Sequence, residues 1–232
     1  MSAAADVLRI PVAVDLAAVV VGALTGGLLA AREGFALSGV LLLGVTGGLG
    51  GGLIRDALMG VPAVALTNPA YLPAVGIAAM ITFFFSGWLN RTTGLLNTLD
   101  ALSLGFFTVI GAQKAQLAGL PVASVVFLGV ATAVGGAVIR DVLLAQRADI
   151  VQPGPYNAVA ALIGASVLAV LSGPLDLPLL PVAGMTIALV AGLRLLSVHR
   201  GWSAPVAIDL PLQARTRWTQ RRSRGGPPDD PE

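Results

Sequence analysis

The chain carries one motif twice, 85 residues apart. Residues 50–56 read Gly-Gly-Gly-Leu-Ile-Arg-Asp, and residues 135–141 read Gly-Gly-Ala-Val-Ile-Arg-Asp. The alignment of the two copies needs no gap between Asp15, which matches Asp100, and Tyr71. Both copies lie in strongly hydrophobic stretches. The chain is therefore an internal duplication, and each copy places its glycines and charges at equivalent positions.

The composition restricts the class of protein. Charged residues make up only 11% of the 232 residues, and hydrophobic residues make up 56%. Soluble domains carry about 25% charged residues, so this chain has too few to cover a water-exposed surface. A helix bundle surrounded by lipid has this kind of composition. The sequence predicts an all-α integral membrane protein.

Enzyme chemistry finds no support in the residue types present. The chain has no cysteine, and its single histidine, His199, follows the last hydrophobic segment. Thiolate chemistry, a serine–histidine–acid set and a metal-ligand cluster are all excluded. The glycine run does not match a dinucleotide or phosphate-loop motif. We therefore predict no catalytic residues and no metal site.

Seven stretches are long enough to cross a hydrocarbon core, which requires about 20 apolar residues. They lie near 12–31, 36–56, 69–89, 95–114, 120–141, 156–173 and 177–197. Each copy holds three of them, so the second copy must enter the membrane upside down, as in the inverted repeats of many transport proteins. We predict a first three-helix repeat at 11–92, a second, inverted repeat at 95–175, a seventh transmembrane helix at 177–198 and a basic, mostly disordered tail at 199–232.

The distribution of arginine and lysine predicts the orientation. With the C-terminus inside, Arg32, Arg91, Arg147 and the polybasic tail are cytoplasmic. An odd number of spans then places the N-terminus outside, although Arg9 counts slightly against this. We predict a multi-pass protein of the inner (plasma) membrane. The arginines of the tail are expected to bind anionic lipids and not nucleic acid.

Glycines are concentrated in the second predicted span. A glycine lowers helix stability by about 1 kcal/mol relative to alanine and permits a kink or an unwound turn. An opened turn would expose carbonyl groups that can coordinate a cation in a cavity. Close helix packing is the other interpretation, because Gly44, Gly48 and Gly52 have the spacing of small residues at helix interfaces, as do Gly47 and Gly51.

The two Arg-Asp pairs lie toward opposite ends of their spans, Arg55-Asp56 in the second and Arg140-Asp141 in the fifth. A charge at the bilayer centre costs at least about 2.5–3.5 kcal/mol, so such residues face a cavity or a partner. Adjacent helical residues point about 100° apart. We therefore expect pairing across the pseudo-two-fold axis or with another helix, and not between neighbours. Interfacial anchoring of the arginines is the alternative.

Three further charges have no settled role from sequence. Asp15 and Asp100 begin the first and fourth spans, where they either compensate the helix dipole or form a carboxylate at each pore mouth that concentrates cations. Lys114 has no charged counterpart, because Leu29 stands at the equivalent position. It either extends to the headgroups or acts as a gate or counter-charge.

Taken together, the paired motifs, the three-plus-three-plus-one spans and the segment Gly-Ala-Gln-Lys-Ala at 111–115 resemble prokaryotic members of the trimeric intracellular cation channel (TRIC) family. Bacterial relatives of that family are also known as putative glycine transporters. The resemblance covers about residues 11–197. It implies a homotrimer with one pore per protomer that conducts monovalent cations and prefers potassium. It implies no cofactor, and permeant K⁺ or Na⁺ and bound lipid are compatible with it.

The resemblance also implies roles for particular residues. The pore-lining kinks in helices two and five fall at Gly50, Gly51, Gly52, Gly135 and Gly136. The pore charges or gate are Arg55, Asp56, Lys114, Arg140 and Asp141. Ala137 departs from a full glycine triplet, so the two kinks are not expected to be equal. The alternative function is a secondary transporter for a small amino acid such as glycine, in which Arg55 or Arg140 would hold the carboxylate.

Overall fold

The computed structural model describes residues 12–89, 93–144 and 157–201, and this part of the chain is helical. Eight helices occupy it: α1 (Val12–Arg32), α2 (Leu37–Leu58), α3 (Val64–Thr67), α4 (Tyr71–Leu89), α5 (Thr93–Leu117), α6 (Val122–Leu143), α7 (Asn157–Leu171) and α8 (Leu179–Arg200). Arg9, Arg91, Arg147, Tyr156 and the predicted tail beyond residue 201 lie outside the described residues.

Seven of the helices match the seven predicted spans to within three residues at either end. Five of them, α1, α2, α5, α6 and α8, are long and apolar enough to cross a membrane. The other two, α4 and α7, are apolar but count as shorter over their described residues. The chain is an all-helical membrane protein, as its composition predicts.

The hydrophobic pattern does not predict α3, which follows α2 after a short loop. Its first backbone N–H, on Val64, donates a hydrogen bond of 3.0 Å to Oδ2 of Asp56. A helix of four residues is too short to show a periodic pattern, and it depends on such a partner for its unpaired N–H groups. The carboxylate of the first Arg-Asp pair therefore also fixes the loop that leads into α4.

The duplication is visible in the backbone of equivalent turns. The turns after α1 and after α5 both contain a left-handed glycine, Gly34 with φ 75° and Gly119 with φ 71°. In each turn the next N–H bonds back to a helical carbonyl, that of Ala30 at 3.0 Å and that of Ala115 at 3.2 Å. Glycine adopts this conformation without steric cost, which is why helices commonly end on it. The two copies thus share their turn geometry.

Helix packing follows the same symmetry. The contacts of α1 with α2, of α1 with α4 and of α2 with α4 recur as contacts of α5 with α6, of α5 with α7 and of α6 with α7. Two helices touch their own counterparts, since α1 packs against α5 and α2 packs against α6. Equivalent elements meet in this way at a two-fold axis. The last helix, α8, packs on α5 and α7 and so adds to the second copy.

Backbone contact between α2 and α6 shows their relative direction. A Cβ on Gly51 would collide with the carbonyl oxygen of Thr132, and a Cβ on Gly136 would lie 3.4 Å from the carbonyl oxygen of Gly47. A step of four residues forward on α2 therefore corresponds to four residues backward on α6. The two helices run antiparallel, and the two contacts are equivalent under the offset of 85.

The glycines in α2 and α6 serve mainly to bring helices together. Both helices are continuous through their glycine runs, so neither is unwound there. A Cβ on Gly50 or Gly51 would lie closer to atoms of α6 than ordinary van der Waals contact allows. A Cβ on Gly52 would meet only the guanidinium of Arg55, at 3.7 Å. The second copy has Ala137 at that same position, where a methyl group fits. A bend in either helix stays a prediction.

Gly51→Ala and Gly52→Ala form a matched pair of substitutions that tests this difference. Gly51→Ala should destabilise the protein by about 1–3 kcal/mol, because its methyl group overlaps the α6 backbone. Gly52→Ala should leave stability unchanged or raise it by up to about 1 kcal/mol, because alanine favours a helix. Thermal unfolding of the purified proteins in detergent measures both, and equal losses in the two variants would contradict the packing described here.

Candidate functional site

The charged residues inside the helix bundle form two groups. The first charge cluster consists of Asp15, Arg55, Asp56 and Lys114. The second charge cluster consists of Asp100, Arg140, Asp141 and Arg194. Asp15, Arg55 and Asp56 are equivalent to Asp100, Arg140 and Asp141 in the duplication. Each cluster holds two carboxylates and two cations, so its formal charge sums to zero.

In the first charge cluster, Arg55 pairs with the next residue. Nε of Arg55 donates to Oδ1 of Asp56 at 2.8 Å, and Nη2 lies 2.7 Å from the same oxygen. Both side chains are 3% exposed. An ion pair buried to this degree requires close geometry to offset the loss of hydration. The short double contact, together with the bond from Val64 to Asp56, provides it.

Asp15 joins α1 to two other helices. Its Oδ2 accepts a hydrogen bond of 2.6 Å from Oη of Tyr71 at the start of α4. The same oxygen lies 3.8 Å from Nζ of Lys114 on α5. Nζ of Lys114 has no hydrogen-bond acceptor within the described part of the chain. The lysine is thus a counter-charge for Asp15, of the kind that one sequence interpretation proposed.

The second charge cluster is more extensively connected. Nε and Nη2 of Arg140 lie 3.2 and 3.1 Å from Oδ1 of Asp141. Nη1 of Arg140 reaches Oδ1 of Asp100 on α5 at 3.5 Å. The other oxygen of Asp100 lies 3.0 Å from Nη2 of Arg194 on α8. Three helices are therefore joined through one carboxylate.

The prediction that each arginine avoids its neighbouring aspartate is wrong. Arg55 and Arg140 both bond to the aspartate that follows them. The Cα–Cβ directions do diverge on the helix, but the arginine side chain has enough rotatable bonds to turn its guanidinium across that angle. Arg140 also has a second partner on another helix, Asp100, as expected.

The position of Asp100 also differs from the prediction. Helix α5 begins at Thr93, so Asp100 lies in its third turn and cannot cap its N-terminus. The hydrophobic pattern placed the start of this span near residue 95, two residues later than the helix begins. The carboxylate instead serves as the partner of two arginines, with its side chain 22% exposed.

One member of these clusters, Arg194, and one neighbour, Tyr71, were not identified from sequence. Arg194 is a buried arginine between two leucines of α8, and Tyr71 holds Asp15. A lone arginine in an apolar span is by itself a reason to expect a partner, so Arg194 had a usable signal. The sequence signal at Tyr71 is that Tyr156 occupies the equivalent position in the second copy. Residues of His, Cys, Asp and Glu form no group of three that could hold a metal among the described residues.

Each charge cluster borders a small cavity. The first cavity, of about 20 Å³, is lined by Asp15, Arg55 and Asp56 among others. The second cavity, of about 30 Å³, is lined by Asp100, Arg140 and Asp141 among others. A water molecule needs about 10–15 Å³ on this measure, so each cavity has room for one or two waters and none for a hydrated cation.

A wider space opens at the first cluster. A cavity of about 330 Å³ is lined by Asp15, Tyr71, Gln113 and Lys114, with apolar residues of α1, α3 and α5 around them. This space shares Asp15 and Tyr71 with the first cavity. The carboxylate of Asp15 therefore stands between a wide entrance and a narrow interior.

The chain matches one family model twice. The model, described as Glycine transporter, aligns with residues 12–87 and again with residues 97–173. The two matches together take up more than half of the chain. The chain belongs to this glycine transporter family. Each match falls inside one of the two predicted repeats, so the duplication is a duplication of the family's own unit.

Relatives of this glycine transporter family member are membrane proteins from several bacteria. A UPF0126 membrane protein of Deinococcus radiodurans is 37% identical over 65% of this chain and 71% of the relative. The UPF0126 inner membrane protein YadS of Escherichia coli (strain K12) is 34% identical over 80% of this chain and 91% of the relative.

Solved structures connect the chain to channels. The TRIC trimeric intracellular cation channel orthologue from Rhodobacter sphaeroides is 31% identical, with a TM-score of 0.77 over 82% of this chain and 97% of that one. A second TRIC cation channel structure gives the same identity and TM-score over 86% and 98%. The chain is a prokaryotic TRIC homologue, as the resemblance indicated, and its relatives are channels and membrane proteins, not enzymes.

Replacing Asp56 tests the buried ion pair. Asp56→Asn leaves the guanidinium of Arg55 buried without its carboxylate, and it weakens the cap of α3. We expect a loss of about 3–5 kcal/mol in unfolding free energy, measured by denaturation in mixed detergent micelles. Asp176→Asn is the control, because Asp176 is an exposed loop carboxylate and its change should stay within about 0.5 kcal/mol. A loss of similar size at both positions would rule out the stabilising role of the pair.

Proposed function

We propose that the chain is a channel for monovalent cations, prefers potassium, and conducts through one pathway in each protomer of a homotrimer. The observation that carries this proposal is the pair of cavities at opposite ends of the α2–α6 crossing, each with a neutral charge cluster beside it. Likeness to solved TRIC cation channels over nearly their whole length supports the same function.

The proposed architecture is an inverted repeat of two three-helix units with a seventh transmembrane helix, α8. The antiparallel contact of α2 with α6 supports inversion, because a two-fold axis in the membrane plane reverses equivalent helices. On this proposal α4 and α7 also cross the bilayer. The divisions at 11–92, 95–175, 177–198 and 199–232 and the kinks at the paired glycines are part of it.

The proposed assembly and location rest on relatives. The solved Rhodobacter relative is described as a trimeric channel, and the Escherichia relative as an inner membrane protein. We propose a homotrimer in the inner membrane, with the N-terminus outside, the C-terminus in the cytoplasm and the basic tail on anionic lipids. The arginine distribution supports this orientation.

The charge clusters suggest which side chains would attract or repel a cation along the proposed pathway. A bare cation in a low-dielectric interior is opposed by any uncompensated positive charge nearby. Asp56 and Asp141 neutralise the two arginines beside the cavities, while Asp15 and Asp100 place a second carboxylate near each entrance. In this proposal the aspartates attract K⁺ or Na⁺ and the arginines limit how long it stays.

A secondary transporter for glycine is the second candidate, favoured by the description of the family model. Two observations count against it. Both arginines that could hold a substrate carboxylate already bind aspartates of the chain. The two small cavities beside these arginines have space for one or two waters each, whereas glycine has five heavy atoms. Binding of glycine beside these arginines would therefore require the cavities to widen more than passage of a cation would.

Reconstitution distinguishes the two candidates. Purified protein in liposomes should carry a potassium current that reverses at the potassium equilibrium potential, without a proton or sodium gradient. Protein-free liposomes are the control, and the mass of the detergent-extracted protein should correspond to three 23.4 kDa chains. Saturable uptake of radiolabelled glycine by vesicles that show no conductance would overturn the channel proposal in favour of the transporter.

A further inference from the structure

We propose that the ring of Phe107 is the barrier that separates the two cavities and closes the pathway of each protomer. This inference rests on the proposed channel function and adds the residue that determines whether its pathway is open. It concerns a side chain that carries no charge and stands outside both charge clusters.

Phe107 borders both cavities. Within the part of the chain that the structure describes, it is the one residue shared by the linings of the first and the second cavity. Its side chain is 4% exposed and packs in the largest apolar cluster of the bundle. The two cavities therefore adjoin at this side chain.

The repeat explains why a ring fits there. Phe107 is the counterpart of Gly22 under the offset of 85, and the two touch: a Cβ on Gly22 would lie 3.0 Å from Cε2 of Phe107. The same Cβ would lie 2.5 Å from the carbonyl oxygen of Gly47. Two large side chains could not occupy these facing positions, and two glycines would leave a gap. One aromatic ring opposite one glycine fills the space.

The chemistry of the ring suits a barrier. Ions cross constrictions in channels where oxygen atoms replace their water, and apolar constrictions exclude both water and ions. The first cavity presents carboxylates, and so does the second. Between them the edge of Phe107 offers no oxygen to a cation. Opening then requires the ring to rotate away or α5 to shift, and it does not require either ion-paired arginine to leave its aspartate.

Substitution of Phe107 gives a direct test in potassium flux. Phe107→Ala should raise the flux through reconstituted protein by about tenfold or more, which corresponds to a barrier lowered by about 1.4 kcal/mol. Phe107→Leu keeps part of the apolar volume and should give a smaller increase. Phe106→Ala is the matched control, since Phe106 adjoins Phe107 and lines neither cavity. If the parent conducts potassium and both Phe107 variants conduct it equally, the inference is overturned.

Accessibility gives a second test that does not depend on potassium conduction. The chain has no cysteine, so Ser103→Cys places a single thiol in the second cavity. In vesicles of mixed orientation, external Ag⁺ should protect this thiol from maleimide labelling carried out after denaturation only in molecules whose second cavity faces outward. With Phe107→Ala added, protection should extend to nearly all molecules, and with Phe106→Ala it should stay partial.

The two measurements separate the two proposals. Full protection by Ag⁺ in the Phe107→Ala protein without potassium flux in any variant would support the barrier and reject the channel. Potassium flux in the parent with equal flux and equally partial protection in the Phe107 variants would support the channel and reject the barrier. If Phe107→Ala does not fold, the Phe107→Leu protein carries both tests, with intermediate flux and protection as the expected results.

Discussion

Contact between the backbones of α2 and α6 determines where the charges of this protein lie. Glycines at the crossing let the helices approach until Gly51 and Gly136 touch. Arg55 follows Gly51 by four residues, and Arg140 follows Gly136 by four, so each arginine lies about 6 Å beyond the crossing. Because the helices are antiparallel, the two displacements are in opposite directions. A wider separation of the helices would remove this arrangement.

This geometry decides between anchoring and internal pairing of the arginines. If the crossing lies at the bilayer midplane, as a two-fold axis in the membrane plane requires, both arginines lie within the roughly 15 Å half-thickness of the hydrocarbon core. At that depth a guanidinium needs a counter-ion more than it needs a headgroup. The contacts of Arg55 with Asp56 and of Arg140 with Asp141 supply one.

Much of the fold follows from the sequence, because apolar length and repetition are local or periodic signals. The helix bounds, the duplication and the residues of both Arg-Asp pairs could be read in this way. Side-chain conformation and contacts between distant helices could not. The pairing of Arg55 with its own neighbour depends on rotamers, and the bond from Arg194 to Asp100 joins residues 94 positions apart. Helix α3 has its first backbone N–H bonded to the side chain of Asp56, a contact that no periodic pattern encodes.

The two charge clusters have the same formal charge, but their second cation comes from different helices. Lys114 comes from the second copy and completes the cluster of the first, whereas Arg194 comes from α8, which has no counterpart in either copy. The added helix thus supplies a cation where the repeat by itself lacks one. Equivalent carboxylates, Asp15 and Asp100, consequently have cationic partners of different chemistry. Asp15 has one contact with a lysine, and Asp100 has one contact with each of two arginines. Under the proposed channel function, the two ends of the pathway therefore present different cations to a permeating ion.

The facing pair of Gly22 and Phe107 has a consequence for how such a protein can arise. In a dimer of two identical chains, a residue on the symmetry axis always meets its own copy, so glycine would face glycine and phenylalanine would face phenylalanine. Fusion of both units into one polypeptide removes that restriction, because the two positions then mutate independently. An aromatic ring on the axis that packs against a glycine at the equivalent position is open only to the fused chain.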